Sequence, residues 1–540
     1  MKKLVSRFMA VLMAMTMILS MSMTAFAAEA QKGTLTVNNT VVGKTLDLYQ
    51  IFTATKSGDN VAYTLNSAYV GFFKTKVENG SSLSGEALSE AAYNYVKTQV
   101  GTDGSNGAAF AKDIMGWILG NTETVEATHT TATTTDTTTV INNLDYGYYV
   151  VYPLGATDTS TAPGNEAVKS VASLVSVTGA DATVNMKSNY PTVVKKVNDK
   201  IADDVNIGDT VTYTLTSKVP DMTGYTSYVF NFKDTLSAGL TFKEITSVTV
   251  GTGENVQNVT AGTGENTYTL TKDGQNITIT MNNFLASNAN RAGQEIKVTY
   301  TATLNKDAVI GMNPNTNKAV VEYSNDPKSD GTGKSEPSIV DVHTFDFTIY
   351  KYYLKDQNNK EDKTALAKAE FELYKGNTEG TAADEQAKVN IVDEGNGVYR
   401  QATADEAKAA DFTSAKIVSD ADGKVLVKGL EAGTYYLRET KAPEGYNKLL
   451  SDIKVVIEAN YDTTTGKLTN YTVTYTYNGN PITVTNADKL TSPEVPVENK
   501  TGAQLPSTGS KGALMVTLAG IVLFGALTAS KAFGKKKANK

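Results

Sequence analysis

Thr210-Val-Thr-Tyr-Thr-Leu-Thr216 alternates polar and apolar residues, and residues 295–301 and 471–477 repeat that alternation. A period of two places one face of an extended chain on a core and the other face in water. Many such short runs, separated by Gly and Asn, follow one another along the chain. They predict an all-β protein built of β-sandwich domains in a linear array.

Some stretches of the first third depart from this pattern. Residues 86–100 and 108–119 have helical spacing and predict minor helices, with the single tryptophan, Trp117, in the core rather than in a ligand site. The threonine-rich residues 128–139 are expected to form solvated strand edges, a sugar-modified stalk being the alternative. Residues 140–151 are expected to form a core strand.

The N-terminus has the features of a secretory signal. Lys2, Lys3 and Arg7 precede an apolar stretch that is closed by Ala25-Phe26-Ala27. A basic start, an apolar segment and an A-x-A site are typical of a signal peptide and not of a membrane span. We therefore expect residues 1–27 to be removed and the remaining chain to be exported.

At the C-terminus, Leu505-Pro506-Ser507-Thr508-Gly509 precedes an apolar run over residues 512–530 and a lysine-rich tail. The run has about the length that a helix needs to cross a bilayer core of roughly 30 Å, and the lysines would stay on the cytoplasmic side. This order of motif, span and basic tail resembles the sortase sorting signal of Gram-positive surface proteins. The resemblance implies that a sortase recognises Leu505, Pro506, Ser507, Thr508 and Gly509 and cuts between Thr508 and Gly509.

Composition narrows the possible functions. The formal net charge of −7 argues against a nucleic-acid partner, and both ends that would be removed carry only positive charges. The chain has no cysteine, so it has neither disulfides nor a thiol nucleophile. His129 and His343 are the two histidines, and neither lies in a catalytic or metal-binding spacing, so both are expected at the surface. We expect no cofactor and no metal, and we expect a protein that is not an enzyme.

Breaks in the strand pattern divide the exported chain into three predicted domains of ordinary size. Tyr190-Pro191 and the Gly- and Ser-rich residues 329–335 mark the two breaks. The predicted order is therefore a signal peptide at 1–27, domains at 28–188, 189–340 and 341–500, and the sorting signal at 505–540.

Tyr435-Tyr-Leu-Arg-Glu-Thr-Lys-Ala-Pro-Glu-Gly-Tyr446 matches the YxLxETxAPxGY E-box of Gram-positive pilins. Residues 345–352 and 366–374 resemble the first two strands of a CnaB-type immunoglobulin-like domain, and residues 497–499 resemble its last strand. In that family a strand lysine, a central acid and a late asparagine form an intramolecular isopeptide bond. The resemblance assigns these roles to Lys351, Glu439 and Asn499, with Asn486 as an alternative acceptor.

The chemistry of such a bond explains the residue types. An amide carbonyl is attacked only by a neutral amine, and burial in an apolar core favours the neutral forms of both a lysine and a carboxylic acid. A neutral acid can then hydrogen-bond the asparagine amide, polarise its carbonyl and carry the proton while ammonia leaves. The reaction runs once and is autocatalytic.

The predicted domain at 189–340 resembles the isopeptide-forming second domain of fimbrial backbone subunits. The resemblance rests on residues 207–216, 218–221, 232–242 and 317–327. It implies a bond between Lys195 and Asn317 with Asp234 as the acid. Val193, Lys195 and Val197 would share one strand face, which is the arrangement that a core-facing lysine requires. Lys196 and Asn325 stay open as alternatives.

The first domain departs from this pattern. Gln50 occupies the strand position where a lysine would be sought, and Lys44 lies in a turn beside Gly43. We therefore expect no isopeptide bond in residues 28–188.

The resemblance extends over nearly the whole chain and implies a backbone pilin. A pilin-type sortase would join Thr508 to a lysine of another copy, which gives a head-to-tail polymer, and a housekeeping sortase would attach the polymer to peptidoglycan at the cell surface. Lys187 is the predicted acceptor, although the family places its lysine directly after Tyr-Pro, where this chain has Thr192. Ancillary pilins are implied as further partners. The alternative is a monomeric wall-anchored adhesin or an ancillary pilin.

Overall fold

The computed structural model describes residues 31–101, 107–156, 171–186, 190–327, 330–477, 480–486 and 492–501. The predicted signal peptide, the sorting signal and Lys187 lie outside the described residues. Within those ranges, no helix is both long enough and apolar enough to cross a membrane.

The chain divides into two compact units. Residues up to Thr344 form the first unit together with Asn460–Thr469, and Phe345–Ala459 form the second together with the residues from Asn470 onward. This division does not separate residues 28–188 from 189–340, so the boundary between those two domains stays a prediction.

The first part of the first unit combines short strands with three helices. In chain order its elements are β1 (Lys32–Asn38), β2 (Leu46–Ser57), β3 (Asn60–Leu65), α1 (Val70–Lys76), α2 (Gly85–Val100), α3 (Gly107–Leu119), β4 (His129–Thr130), β5 (Thr138–Asp145), β6 (Gly147–Pro153), β7 (Ser173–Val177) and β8 (Ala182–Asn185).

These strands form two sheets, one in the order β5-β1-β8 and one in the order β3-β2-β6-β7 with β4 beside β2. The helices predicted at 86–100 and 108–119 are confirmed as α2 and α3, and they pack on the second sheet through buried residues such as Phe110 and Ile114. Trp117 packs against Phe72, with 5.6 Å between the ring centroids, and so borders this core as expected.

The single core strand predicted at residues 140–151 is wrong. The segment forms two strands, β5 and β6, which belong to different sheets. Gly147 begins β6 at a point where an added Cβ would lie 2.5 Å from the carbonyl oxygen of Phe52. Only a glycine fits that close approach, and the chain changes sheets directly before it.

The second part of the first unit is almost entirely β. Its elements are β9 (Val194–Val197), β10 (Ala202–Asp204), β11 (Thr210–Lys218), β12 (Phe230–Leu236), β13 (Leu240–Val250), β14 (Gln257–Asn258), β15 (Thr260–Ala261), β16 (Thr267–Asp273), β17 (Asn276–Met281), α4 (Phe284–Asn288), β18 (Glu295–Leu304), β19 (Asn315–Ser324), β20 (Thr332–Lys334) and β21 (Ser338–His343).

Two sheets form a sandwich here. One has the order β14-β13-β18-β11-β9, and the other has the order β10-β21-β19-β12-β17-β16-β15 with β20 beside β19. Both contribute to one core, in which Tyr213 and Val298 of the first sheet meet Phe232 and Val321 of the second. The strands predicted from the alternating runs at 210–216 and 295–301 are confirmed as parts of β11 and β18.

The second unit is also built mainly of strands, although residues Asn460–Thr469, at the turn between two of these strands, belong to the first unit. Its elements are β22 (Phe345–Leu354), β23 (Lys363–Ala365), β24 (Glu370–Gly376), β25 (Ala383–Lys388), β26 (Ile391–Gly395), β27 (Val398–Gln401), α5 (Ala404–Lys408), β28 (Ile417–Val418), β29 (Lys424–Leu430), β30 (Gly433–Lys441), β31 (Ile453–Tyr461), β32 (Leu468–Tyr477), β33 (Asn480–Asn486) and β34 (Glu494–Glu498).

Its two sheets have the orders β23-β22-β29-β27-β26 and β25-β24-β30-β31-β32-β33. The last strand, β34, pairs in parallel with the first, β22, so the two ends of the unit lie side by side. The predicted all-β fold with minor helices near the N-terminus is therefore confirmed.

Candidate cross-linking sites

The middle candidate site begins with the lysine of β9. Val193, Lys195 and Val197 are buried, whereas Lys196 is exposed, as the period of a strand dictates. Lys195 lies opposite Leu215 of β11 and is fully buried. Its ammonium group therefore enters the core of the sandwich from the first sheet, and Lys196 does not.

Asp234 and Asn317 reach the same place from the facing sheet. They lie on the paired strands β12 and β19, in a register that places Asp234 opposite Ala319 and Asn317 opposite Leu236. Both side chains are buried, and Lys195 Nζ forms an ion pair with Asp234 Oδ2. The structure thus brings together the three residues that the sequence singled out at this site.

A fourth residue, Tyr300 of β18, connects these three. Lys195 Nζ donates to Tyr300 Oη at 2.8 Å, and Asn317 Nδ2 donates to the same oxygen at 2.6 Å. Tyr300 Oη donates in turn to Asp234 Oδ2 at 2.6 Å. Sequence reasoning missed this tyrosine, although the alternation of residues 295–301 already placed it on the inward face of its strand.

Burial controls the electrostatics of the middle site. Loss of hydration lowers the pKa of Lys195 to about 8, and the charge of Asp234 opposes that shift. The ammonium nitrogen lies 4.8 Å from the ring centroid of Tyr213 and 5.1 Å from that of Tyr300. A lysine with a pKa of about 8 is neutral in roughly a tenth of molecules at pH 7, compared with well under a thousandth for an ordinary lysine, and only the neutral amine can attack an amide carbon.

Two oxygen atoms on the acid and the asparagine of the middle site have no hydrogen-bond partner. Asp234 Oδ1 and Asn317 Oδ1 are both buried and unbonded. Buried oxygens without a donor are costly in a native core. A carboxylic proton on the acid would supply the missing donor, and formation of an amide would remove the side-chain charges from the core.

The second candidate site lies in the second unit and has a different layout. Lys351 of β22 faces Val497 of β34, and Asn499 follows that strand. Glu439 of β30 comes from the facing sheet. Lysine and asparagine therefore share one sheet here, whereas at the middle site the acid and the asparagine do.

The three side chains of the second site are in contact and buried. Lys351 Nζ lies 3.4 Å from Glu439 Oε1, and Asn499 Nδ2 donates to Glu439 Oε2 at 3.0 Å. Burial lowers the pKa of Lys351 to about 8, against the opposing charge of Glu439. Asn499 Oδ1 is buried without a hydrogen-bond partner, like its counterpart at the middle site.

Backbone groups position the acid and the amide of the second site. The N–H of Leu449 donates to Glu439 Oε2 at 2.8 Å, and the carbonyl of Asn447 accepts from Asn499 Nδ2 at 2.8 Å. Asn447 follows the E-box directly, and Leu449 lies two residues further on. Sequence reasoning missed them because backbone contacts do not depend on residue type.

The alternative residues are placed elsewhere. Lys196 is exposed, and Asn325 follows the end of β19, where its N–H donates to Gly331 O at 3.1 Å. Asn486 ends β33, and its side chain lies outside the described residues. In the first domain, the amide of Gln50 donates to Tyr146 O at 3.1 Å, and the absence of a bond there stays a prediction.

The expectation that both histidines lie at the surface is wrong for His343, which is only 3% exposed. His343 ends β21, which lies between β10 and β19 in its sheet, so both neighbouring strands shield it from solvent. Its ring Nδ1 contacts Gly311 O at 3.3 Å, and burial lowers its pKa. Within the described part of the chain, no three His, Asp or Glu side chains are arranged to hold a metal ion.

Glu439→Gln is expected to prevent the bond at the second site alone, because the amide cannot accept the proton of Lys351. The intact mass would then fall short of the sequence mass by one ammonia, compared with two in the unsubstituted chain. Glu431→Gln, which changes a partly exposed partner of Lys375, is the matched control. A shortfall of two ammonia in the Glu439 variant would show that this acid is dispensable.

Comparison with known families agrees with this architecture. Residues 207–327 match the family described as Gram-positive pilin backbone subunit 2, Cna-B-like domain. Residues 353–472 match the SpaA prealbumin-like fold domain. The two matched regions contain the acid and the asparagine of the middle site and the acid of the second site.

Similar proteins include streptococcal surface proteins and pilins. The chain is 25% identical over 467 residues to the trypsin-resistant surface T6 protein of Streptococcus pyogenes serotype M6, with 76% of each chain covered. The solved T6 backbone pilin of that serotype is 18% identical with a TM-score of 0.46, over 88% of this chain and all of that one. The group B streptococcus pilus 2b backbone protein is 27% identical with a TM-score of 0.40, over 58% of this chain and 99% of that one.

The chain therefore contains a Gram-positive pilin backbone domain of the Cna-B-like type at residues 207–327, followed by a SpaA prealbumin-like domain at residues 353–472.

Proposed function

We propose that this chain is the structural subunit of a covalent pilus, joined to further copies of itself by a sortase and finally attached to peptidoglycan. The match of residues 207–327 to the pilin backbone family is the observation that carries this proposal. The sequence Leu505-Pro506-Ser507-Thr508-Gly509, the apolar run behind it and the basic tail support it from the C-terminus.

Each subunit would cross-link itself before it bears load. At the middle site the amine of Lys195 replaces the amide nitrogen of Asn317, and at the second site the amine of Lys351 replaces that of Asn499. One ammonia leaves for each bond. The buried lysine–acid–asparagine contacts at both sites support this step, with Asp234 and Glu439 as the acids.

Such bonds suit a protein that lacks cysteine. They would close loops of 122 and 148 residues, and the chain-entropy model for disulfides gives about 5 kcal/mol of stabilisation for each loop. An amide resists reduction, which a disulfide does not. In the second unit the bond would tie the first strand, β22, to the segment behind the last strand, β34, so a pull on the two ends would load a covalent link.

Polymerisation needs an acyl donor and an amine at opposite ends of the subunit. Thr508 would supply the acyl group after cleavage before Gly509, and Lys187 would supply the amine of the next copy. A donor and an acceptor on different surfaces give a head-to-tail association that does not close, which is a filament. Pilin-type and housekeeping sortases and ancillary pilins are the partners that this assembly requires.

Lys187→Ala is expected to abolish the polymer. A cell-wall extract of the producing strain, boiled in SDS and blotted, should show a ladder of very large species for the unsubstituted chain and one monomer-sized band for the variant. Lys196→Ala, which removes an exposed lysine nine residues further on, is the matched control and should keep the ladder.

Three further outcomes would identify the reacting residues and separate a polymer from a monomer. A ladder that survives Lys187→Ala assigns the acceptor to another lysine and leaves the pilus subunit in place. A single band from the unsubstituted chain in a strain with its own sortases contradicts the polymer and favours a monomeric wall-anchored adhesin. Loss of the ladder in Thr508→Ala as well would identify the acyl donor.

A further inference from the structure

The two candidate sites differ in how the acid reaches the leaving nitrogen. At the second site the acid touches it directly, since Asn499 Nδ2 donates to Glu439 Oε2 at 3.0 Å. At the middle site Asn317 Nδ2 donates to Tyr300 Oη at 2.6 Å, and that hydroxyl donates to Asp234 Oδ2 at 2.6 Å. A tyrosine hydroxyl therefore stands between the acid and the leaving group in only one of the two sites.

We propose that Tyr300 is a catalytic residue of the middle site, whose hydroxyl carries protons between Lys195, Asp234 and the leaving nitrogen of Asn317. This inference rests on the proposed self-cross-linking and adds to it a residue that the second site lacks. Tyr300 touches both reacting nitrogens, because its oxygen accepts from Lys195 Nζ at 2.8 Å and from Asn317 Nδ2 at 2.6 Å.

The hydroxyl is fully used in the arrangement that the structure shows. A phenol has one donor and two acceptor positions, and the three contacts occupy all of them. Tyr300 is fully buried, and desolvation together with the charge of Asp234 raises its pKa well above the ordinary value. It therefore keeps its proton at neutral pH, so it can pass one proton on only while it receives another.

The proposed sequence of steps balances in atoms and charge. The proton of the Lys195 ammonium moves to Asp234, directly or through the hydroxyl, and leaves a neutral amine and a neutral acid. The amine attacks Cγ of Asn317 and forms the new C–N bond. A proton from the attacking nitrogen then passes through Tyr300 to Nδ2, the old C–N bond breaks, and ammonia leaves.

The neighbouring tyrosine provides a matched comparison. Tyr213 is also fully buried beside Lys195, and its ring is stacked on that of Tyr300 with 5.2 Å between the centroids. Its contact with the lysine runs through the ring face, with Nζ 4.8 Å from the centroid, and its hydroxyl makes no hydrogen bond to the lysine or to the acid. Removal of its hydroxyl should therefore keep the reaction, whereas removal of the Tyr300 hydroxyl should slow it.

The test compares Tyr300→Phe with Tyr213→Phe in the full chain. Peptide mapping by mass spectrometry measures the fraction of the forked peptide that joins Lys195 to Asn317 against time after synthesis. The peptide that joins Lys351 to Asn499 in the same molecules serves as an internal clock. General acid–base groups typically contribute 10²–10⁴-fold, so we expect the middle bond to form at least about a hundred times more slowly in Tyr300→Phe alone.

A second hydroxyl-free variant, Tyr300→Leu, should show the same delay, and hydrogen exchange of β11 and β12 should verify that the sandwich is folded. Bond formation at the unsubstituted rate in either Tyr300 variant would overturn the relay. An equal delay in Tyr213→Phe would overturn it too, because the effect would then belong to buried hydroxyls in general. Absence of the forked Lys195–Asn317 peptide from the unsubstituted chain would instead contradict the proposed self-cross-linking.

Discussion

Asn317→Ala is expected to lower the free energy of unfolding of the middle sandwich by about 5 kcal/mol. The variant keeps Lys195 and Asp234 as a buried ion pair but removes the carbon that the amine attacks. The loop between residues 195 and 317 then stays open in the unfolded chain, which gains the entropy that the bond would have removed.

Two measurements check this expectation. The mass shortfall should drop from two ammonia to one, and hydrogen exchange of β11 and β12 should show protection lost at lower denaturant concentration. Asn325→Ala is the control, because this residue lies beyond the end of β19 and was the alternative acceptor. Equal stability of the Asn317 variant and the unsubstituted chain, or a mass effect of Asn325→Ala, would contradict the assignment.

The resemblance to fimbrial backbone subunits pointed to this site from the sequence, and strand periodicity agreed with it. The alternation around Lys195 was consistent with a core-facing lysine but left Lys196 open, and the structure buries Lys195 and exposes Lys196. Periodicity also predicted α2 and α3 and the strands β11, β18 and β32. These features depend on local spacing, which a sequence contains in full.

Features that depend on contacts between distant residues were missed. Tyr300 lies 105 residues from Lys195, and nothing local shows that β18 brings its hydroxyl to the lysine. The burial of His343 depends on β10 and β19, which flank its strand. The division of residues 140–151 between two sheets depends on the close approach of Gly147 to Phe52. Each of these requires the sheet order, which strand patterns alone do not specify.

Asp234→Ala is expected to destabilise the middle sandwich more than Asn317→Ala does. It should prevent the cross-link, and it also leaves the fully buried ammonium of Lys195 without its counter-ion. Breaking a buried pair by removal of one partner typically costs 3–5 kcal/mol. The loss of unfolding free energy in Asp234→Ala should therefore exceed the loss in Asn317→Ala by about 3–5 kcal/mol at neutral pH.

The excess loss should shrink as the pH rises. Burial already lowers the pKa of Lys195 to about 8 while Asp234 opposes the shift, so removal of Asp234 lowers that pKa further. In the unfolded chain a lysine titrates near 10.4. Between the lowered pKa of Lys195 in the folded variant and its pKa of about 10.4 in the unfolded chain, the unfolded state binds more protons than the folded state. Stability therefore increases with pH in that window, by up to about 1.4 kcal/mol per pH unit.

The double variant Lys195→Met with Asp234→Ala removes the charge as well as its partner. Because both buried ionic groups are then replaced by apolar ones, we expect it to recover several kcal/mol relative to Asp234→Ala at pH 7. It should also lose the increase of stability between pH 7 and 10, since the group that titrates is gone. If Asp234→Ala proved as stable as the double variant, or lost stability on going from pH 7 to 9, Lys195 would not be an isolated buried amine, and the electrostatic account of the middle site would fail.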